Sequence, residues 1–234
     1  IMKYAIISDI HSNLEAFTKA LAVIDERHVD EIICLGDIVG YGANPNECVE
    51  LVRSRCSAVV LGNHDAAALD TSMAGDFNAI ARKAVYWTAD QLTEESRSFL
   101  TALPMVHRIE KILFVHSSPN VPEAWDYIVD VDDASSALRH FQEKICFIGH
   151  THVPGIFSHV GRARAVTPEE KYIVNVGSVG QPRDGNPKLA FGIFDTARWN
   201  FELIRSEYNI HTAAEKIYAA KLPEELGNRL MYGM

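Results

Sequence analysis

Five short apolar runs, each followed at once by an Asp, Asn or His, constrain the fold of this chain more than any other feature. Runs of this length, bounded by turn residues, are typical of buried strands. Open α/β sheets bind ligands outside the carboxyl ends of their strands, so these polar residues are expected to meet in one place. The runs and the residues that follow them are 4–8 before Asp9 and His11, 32–36 before Asp37, 58–62 before Asn63 and His64, 112–115 before His116, and 145–149 before His150 and His152.

The run 32–36 lies at the centre of this pattern. It ends abruptly in Gly36 and Asp37, and further glycines follow at positions 40 and 42. Glycine lets the backbone turn tightly after a strand. Asp37 is therefore expected to face the crevice at the carboxyl end of the sheet.

The segments between the runs predict helices and a parallel sheet. Apolar spacing after Asn13 predicts a capped helix, which gives a β-α-β opening, and Pro45–Arg55 is predicted as a second helix. A helical excursion at about 66–104 interrupts the alternation, with Asp76 capping a helix that runs to Gln91. Because it follows Asn63 directly, it is expected to overhang the crevice. Strand-like segments dominate from position 105, before a helical tail at 212–222.

Length and composition limit the class of protein. A chain of 234 residues fits one domain, predicted here as 1–234, and the apolar content of 47% with 23% charged residues is ordinary for a globular protein. The net charge of −9 argues against broad affinity for long nucleic acid or anionic membranes. No run has the length of a spanning helix and no signal peptide is visible, so we expect a cytoplasmic protein without membrane contact. The four cysteines show no CxxC spacing, which fits a reducing compartment; a homo-oligomer is left open.

Polar residues at the ends of the five runs have the chemistry of metal ligands. Asp9 and His11 are two apart on a segment predicted to be extended, so both side chains point the same way, and His150 and His152 repeat this spacing. With Asp37, Asn63 and His116 there are seven nitrogen and oxygen donors, too many for one small cation. Two divalent transition-metal ions are the economical solution. The donors suit Mn²⁺ best, with Fe, Zn²⁺, Co²⁺ or Ni²⁺ as alternatives, and exclude a Cu(I) site.

A single histidine is more often a hydrogen-bonded structural residue than a ligand, but such roles do not explain histidines at several strand ends. The remaining histidines have no such context and are given no role. His64 follows Asn63 directly and so diverges from it, which leaves His64 free to face a substrate. Asp65 either orients His64 or caps the following helix.

The motifs Asp9-x-His11, Gly36-Asp37, Gly62-Asn63-His64-Asp65, His116 and Gly149-His150-x-His152 resemble, in order, the signature of the calcineurin-like metallophosphoesterases. Residues 175–185 resemble a block of the small bacterial and archaeal phosphodiesterase-type members. The resemblance implies an α/β fold, a four-layer αββα sandwich of two mixed β-sheets flanked by helices. It also implies that one metal takes Asp9, His11, Asp37 and His152, and that the other takes Asp37, Asn63, His116 and His150.

The chain departs from one branch of this family. The protein Ser/Thr phosphatases carry phosphate-binding arginines in their Gly-Asp block and before their Gly-Asn-His block, where this sequence has Tyr41 and Leu61. Bidentate arginine is the usual grip on a phosphate monoester dianion. Arg183 is the one arginine nominated as a substitute; a salt bridge at a surface turn is the other interpretation.

The predicted function is dimetal-dependent hydrolysis of a small nucleotide-like or other phosphodiester, by attack of a metal-bridging hydroxide, with His64 donating a proton to the leaving oxygen. The alternatives are a phosphomonoesterase or protein Ser/Thr phosphatase, a non-catalytic scaffold with the same fold, and a nuclease acting on long DNA. The helical excursion and the loop around Trp125 and Tyr127 are expected to decide the substrate.

Overall fold

The computed structural model describes residues 2–234, which form eleven β-strands and eight α-helices. The strands are β1 (Lys3–Ile7), β2 (Glu31–Cys34), β3 (Ala58–Val59), β4 (Val106–Ile109), β5 (Ile112–Val115), β6 (Ile145–Ile148), β7 (Gly155–Ser158), β8 (Gly161–Arg162), β9 (Tyr172–Asn175), β10 (Leu189–Asp195) and β11 (Asn200–Ser206). The helices are α1 (Leu14–Glu26), α2 (Pro45–Arg55), α3 (Asn63–Leu69), α4 (Ala79–Gln91), α5 (Glu94–Thr101), α6 (Val131–Ala137), α7 (Ile210–Ala219) and α8 (Glu224–Leu230). Two 3₁₀ turns span Thr71–Asp76 and Pro122–Ala124.

The strands form two mixed sheets. The first has the order β11-β10-β1-β2-β3, in which β1, β2 and β3 are parallel and β10 and β11 are antiparallel to their neighbours. The second has the order β4-β5-β6-β9-β7-β8, with β5, β6 and β9 parallel. Each sheet therefore contains a parallel group whose carboxyl ends meet at one edge.

Side chains that alternate along the strands separate two cores. Tyr4 and Ile6 of β1 pack with Phe114 and Phe147 of the second sheet in one buried cluster. The intervening residues of β1 pack against α1 and α2 on the opposite face. Strands buried on both faces carry continuous apolar runs instead of alternating polarity, which explains the pattern in the sequence.

The second sheet is covered in the same way on its outer face. Leu113 of β5 and Cys146 of β6 point away from the first sheet and pack with Ala134 and Ala137 of α6. The layers therefore run helix, sheet, sheet, helix. The prediction of a four-layer sandwich of two mixed sheets is confirmed, and the four cysteines are unpaired thiols.

Several elements differ from the sequence-based expectations. The cap of α4 is Asn78, whose side chain accepts the backbone N–H groups of Ile80 and Ala81, whereas Asp76 ends the preceding 3₁₀ turn. Strand β3 is two residues long, shorter than the apolar run that suggested it. Strand β11 and helices α6 and α8 were not predicted, because polar residues obscure their periodicity.

The helical excursion begins at Asn63, earlier than position 66, because the residues of the Asn63-His64 motif already form the first turn of α3. It continues through the 3₁₀ turn and α4 to the end of α5. Met73 and Phe77 from this segment line a cleft with Asn63, so the excursion lies over the edge of the sheet as expected. Across residues 2–234, no helix is both long and apolar enough to cross a membrane.

Candidate metal centre

All seven predicted donors lie buried at the adjoining carboxyl ends of the two sheets. One cluster contains Asp9, His11, Asp37 and His152, and a second contains Asp37, His116 and His150; within each, the candidate ligand atoms lie within 4.8 Å of one another. Asp37 belongs to both clusters. Asn63 joins the second cluster, because its Oδ1 lies 3.2 Å from Nε2 of His116.

The loops that carry these donors are not extended, so the expectation for the Asp9/His11 and His150/His152 pairs was wrong. Their φ angles are 53° for Asp9, 49° for His11, 67° for His150 and 61° for His152, and Asp37 has a φ of 51°. Left-handed conformations cost a non-glycine residue about 1–2 kcal/mol each. The convergence of the donors therefore requires local backbone strain, which is common at functional sites.

Backbone hydrogen bonds between the loops hold this strained arrangement. The N–H of Asp9 donates to the carbonyl of Gly36 at 3.1 Å, and the N–H of His11 donates to that of Asp37 at 2.9 Å. The N–H of Gly180 donates to the carbonyl of Asp9 at 2.9 Å. Three loops from distant parts of the chain are thus joined around the centre.

Glycine is required where two loops approach most closely. A Cβ on Gly62 would lie 2.2 Å from the backbone nitrogen of Asp37, and one on Gly149 would lie 2.0 Å from Oγ of Ser8. Real side chains cannot come so near. The glycines of the Gly-Asn-His and Gly-His-x-His motifs therefore let the carboxylates sit against the neighbouring loops.

Each of the four imidazoles in the clusters uses one ring nitrogen to hold its orientation. Because a carbonyl oxygen only accepts hydrogen bonds, the bonded ring nitrogen carries the proton. Each ring N–H donates to a backbone carbonyl: Nδ1 of His11 to that of Val39 (3.0 Å), Nδ1 of His116 to that of Leu35 (2.8 Å), Nδ1 of His152 to that of Gln181 (2.6 Å) and Nε2 of His150 to that of Trp125 (2.9 Å).

The other ring nitrogens face each other across the centre. Nε2 of His11 lies 3.1 Å from Nε2 of His152, and Nε2 of His116 lies 3.2 Å from Nδ1 of His150. Burial lowers the pKa of His11 and of His152 well below the ordinary histidine value, so the first pair is neutral. Two bare lone pairs at this separation repel each other unless a cation lies between them. The first pair therefore fits a bound cation.

His116 is the exception among the four rings. Burial is the largest single influence and disfavours the charged form, but the carboxylates of Asp37 and Asp9 and the hydrogen bonds of the ring together outweigh it and raise the pKa of His116 to about 9. A proton therefore competes with a cation for Nε2 of His116 in the metal-free protein. Metal ligation by histidine needs the neutral ring, so this proton leaves when a metal binds.

The two carboxylates each keep one oxygen for the centre. Asp37 accepts the backbone N–H of His64 at Oδ1 (2.8 Å), and its Oδ2 lies 3.5 Å from Nε2 of His11 and 3.4 Å from Nε2 of His116. Asp9 accepts the N–H of His150 at Oδ2 (3.0 Å), and its Oδ1 is buried without a hydrogen-bond partner. An orphaned buried carboxylate oxygen is costly, and a cation would satisfy it.

His64 lies beside the clusters and is not part of them. Its ring packs against Tyr41 and Phe77, at centroid distances of 4.4 and 4.9 Å. Nδ1 of His64 is buried without a partner, and burial lowers the pKa of the ring to about 4. The ring is thus neutral near pH 7 and makes no hydrogen bond within residues 2–234, which leaves it available to a ligand.

The carboxylate of Asp65 accepts its hydrogen bonds from backbone N–H groups and not from the ring of His64. Its Oδ1 accepts the N–H of Val39 at 3.0 Å, and its Oδ2 accepts the N–H of Gly62 at 3.1 Å. Of the two interpretations left open by the sequence, the structure gives the helix cap, which also ties the loop after β2 to the start of α3.

A cleft of about 420 Å³ opens onto the second cluster. Tyr127 stacks on His150 with ring centroids 4.0 Å apart, and Trp125 lies 6.1 Å from the ring of His116. Both residues were expected near the substrate, and the structure places them in the wall of this cleft. The lining residues are Asn63, Met73, Asp76, Phe77, Glu123, Ala124, Trp125, Tyr127 and His150.

Arg183 lies beside the first cluster. Its backbone N–H donates to the carbonyl of His152 at 3.2 Å, and its Cζ lies 5.5 Å from the ring centroid of Tyr41. The sequence did not point to Gln181, whose carbonyl orients His152, or to Arg229 of α8, which approaches Gln181. No motif surrounds Arg229, and a backbone carbonyl leaves no signal in a sequence.

Two packed mixed sheets, with buried Asp and His clusters at their adjoining carboxyl ends, define the class as a metallophosphoesterase fold. Residues 2–198 match the model of the calcineurin-like phosphoesterase superfamily domain. The chain belongs to that family. The family and the buried cluster together fit a dimetal site.

Relatives from archaea and bacteria share nearly the whole chain. The uncharacterised protein MJ0912 of Methanocaldococcus jannaschii is 42% identical, covering 98% of this chain and 97% of its own. A crystal structure of a metallophosphoesterase from Sphaerobacter thermophilus is 39% identical, with a TM-score of 0.90 over 100% of this chain and 99% of that one. The hypothetical protein PH1004 of Pyrococcus horikoshii shares the fold at 21% identity, with a TM-score of 0.85 over the same shares.

Proposed function

We propose that this protein is a dimetal-dependent phosphodiesterase acting on a small, nucleotide-like phosphodiester. The observation that carries the proposal is the set of aromatic side chains packed around the metal centre. Tyr41 packs against His11 and His64, with centroids 4.6 and 4.4 Å away, at a position where the protein Ser/Thr phosphatases resembled by the sequence carry an arginine. A phosphodiester carries one negative charge, whereas a monoester dianion carries two, and the diester has one more organic substituent. Binding a diester therefore needs fewer arginines and more apolar surface.

The ligand sets follow from the two clusters. Asp9, His11, Asp37 and His152 would hold one divalent ion, and Asp37, Asn63, His116 and His150 the other. Such a pair of ions supplies Lewis acidity toward phosphoryl oxygens and lowers the pKa of water toward neutrality. The N/O donor set suits Mn²⁺, with Fe, Zn²⁺, Co²⁺ or Ni²⁺ as alternatives.

The cleft would bind the non-reacting part of the substrate. Trp125, Tyr127 and Phe77 present aromatic surface next to the second cluster, and Tyr127 is 55% exposed. Stacking of a base on an aromatic side chain is worth about 1–3 kcal/mol and tolerates different bases. This surface therefore supports a nucleotide-like substrate, without selecting one base.

His64 would act on the leaving group. Its ring touches His11 of the first cluster, with centroids 4.9 Å apart, while Nδ1 of the ring is buried without a hydrogen-bond partner. A phosphodiester bound at the centre adds negative charge beside the ring, which favours its protonated form. From this position His64 would donate a proton to the leaving oxygen.

A phosphomonoesterase is the second candidate, and Arg183 is the observation that favours it. Its guanidinium lies over Tyr41, and its backbone N–H bonds to His152 of the first cluster. Gripping a dianion is a normal task for such a group. A non-catalytic scaffold is disfavoured because all seven donors are retained and buried together.

The experiment that separates the candidates compares two esters on one preparation. Metal-stripped protein is reconstituted with each divalent ion in turn and assayed with bis-p-nitrophenyl phosphate and p-nitrophenyl phosphate. We expect a higher kcat/KM for the diester under every activating metal. A clear preference for the monoester would make the phosphomonoesterase the better account.

A further inference from the structure

Two arginines from distant parts of the chain meet beside the metal centre. Arg183 lies in the loop between β9 and β10, and Arg229 lies in the last turn of α8. Nη2 and Nε of Arg183 donate to Oε1 of Gln181 at 2.7 and 3.2 Å. Nη1 of Arg229 reaches the same oxygen at 3.5 Å. Two cations thus share one neutral amide oxygen.

No carboxylate of the described residues contacts this arginine pair. Within residues 2–234, no Asp or Glu oxygen lies within 4.0 Å of either guanidinium group. Asp184, next to Arg183 in the chain, pairs with Arg205 instead. Nε of Arg229 is buried without any hydrogen-bond partner. Glu225, one turn before Arg229 on α8, acts on Arg229 only from beyond contact distance. The pair therefore offers positive charge that no carboxylate contacts, together with unused donors, the combination that binds phosphate.

Arg229 stays protonated although its side chain is partly buried beside another cation. Burial lowers the pKa of Arg229, and the neighbouring charge of Arg183 lowers it further. An arginine nevertheless stays protonated at any ordinary pH. Holding two like charges together costs free energy, which an anion bound between them would recover.

The arginine pair is joined to the metal centre through one loop. The carbonyl of Gln181 accepts the ring N–H of His152 at 2.6 Å, while the side-chain oxygen of the same residue holds both arginines. The ring of Tyr41 lies between, with its centroid 5.5 Å from Cζ of Arg183 and 4.6 Å from the ring of His11. A group bound at the arginine pair would therefore be a close neighbour of one bound at the centre.

Helix α8 is held firmly in this position. Leu226 and Leu230 pack in a buried cluster with Tyr41. The chain after α8 also bonds to the arginine loop, because the N–H of Gly185 donates to the carbonyl of Gly233 at 3.0 Å. The fold thus presents Arg229 to Arg183 in advance of any ligand.

We propose that Arg183 and Arg229 form a second anion subsite, which binds a phosphate group of the substrate other than the one at the metal centre. The natural substrate would then be a nucleotide-like phosphoester with at least one further phosphate. This inference rests on the proposed function, since it takes the reacting phosphate to lie at the metal centre.

Direct binding tests the subsite independently of turnover. Isothermal titration calorimetry on Mn²⁺-loaded protein, with Mn²⁺ in excess, compares AMP with adenosine 5′-(α,β-methylene)diphosphate, which resists hydrolysis. We expect the diphosphonate analogue to bind wild type at least about tenfold more tightly than AMP, and Arg229→Gln to reduce that ratio by about tenfold, as expected for losing one charge-assisted partner. Arg183→Gln removes the other half of the pair from a different element, and should act in the same direction.

The controls keep this result interpretable. Arg198→Gln removes an arginine whose side chain is 84% exposed in the β10–β11 turn, and should leave the ratio unchanged. Melting temperature and metal content show whether each variant is folded, and Arg183→Gln still tests the pair if the α8 variant is not. Equal losses for both ligands would assign the pair to the reacting phosphate, and no loss would remove its role; either outcome overturns the proposal. Absence of diester hydrolysis, with the ratio changed as expected, would instead contradict the proposed function.

Discussion

Replacing Asp37 with Asn is expected to weaken both metal sites together. Its Oδ2 lies 3.5 Å from Nε2 of His11 and 3.4 Å from Nε2 of His116, so one oxygen faces both clusters. The substitution keeps the size of the side chain but removes the charge that a bridging ligand contributes. Metal ions supply several kcal/mol of transition-state stabilisation, so kcat should fall by roughly 10³-fold or more.

The matched variant for this prediction is Asp9→Asn. Asp9 belongs only to the first cluster, so its loss should weaken one site and leave the other occupied. Metal content after dialysis against a fixed concentration of Mn²⁺ measures both variants. Two equivalents retained by Asp37→Asn, at wild-type affinity, would show that Asp37 does not bridge.

Replacing His64 with Ala is expected to remove activity and keep the metals. The ring has no part in either cluster, and its Nδ1 is buried without a partner within residues 2–234. Loss of a proton donor costs roughly 10²–10⁴ in kcat when the leaving group is a poor one, such as an alkoxide. The loss should shrink for p-nitrophenolate, which departs without a proton.

His116→Ala is the control, because His116 lies within the second cluster and should lose metal and activity together. If His64→Ala loses metal in the same way, His64 is a ligand. If its loss of kcat is equal for good and poor leaving groups, His64 positions the phosphate and does not donate a proton.

Much of the fold could be predicted from local pattern. Helix α2 begins at Pro45 and ends at Arg55 as predicted, because proline favours the first turn of a helix and the apolar positions repeat on one face. Strand β5 also has the predicted limits, since its apolar run ends directly before His116. Edge strand β11 was missed because only Ile204 of it is fully buried, so its sequence lacks a continuous apolar run.

The candidate site could also be predicted only in part. The seven donors could be chosen because they follow apolar runs, but the backbone conformation that brings them together could not be predicted. The left-handed conformations of Asp9 and His11 depend on hydrogen bonds to the loop after β2, which no local pattern records. Arg229 depends on a contact between α8 and the loop of Gln181, so only the folded chain reveals it.

We infer that one chain holds two metal ions that share Asp37. Elemental analysis of metal-stripped wild type, reconstituted with excess Mn²⁺ and freed of unbound ions, tests it most directly. Two buried clusters that share Asp37 predict a stoichiometry approaching two equivalents per chain. A value that stays at one or below would contradict the account.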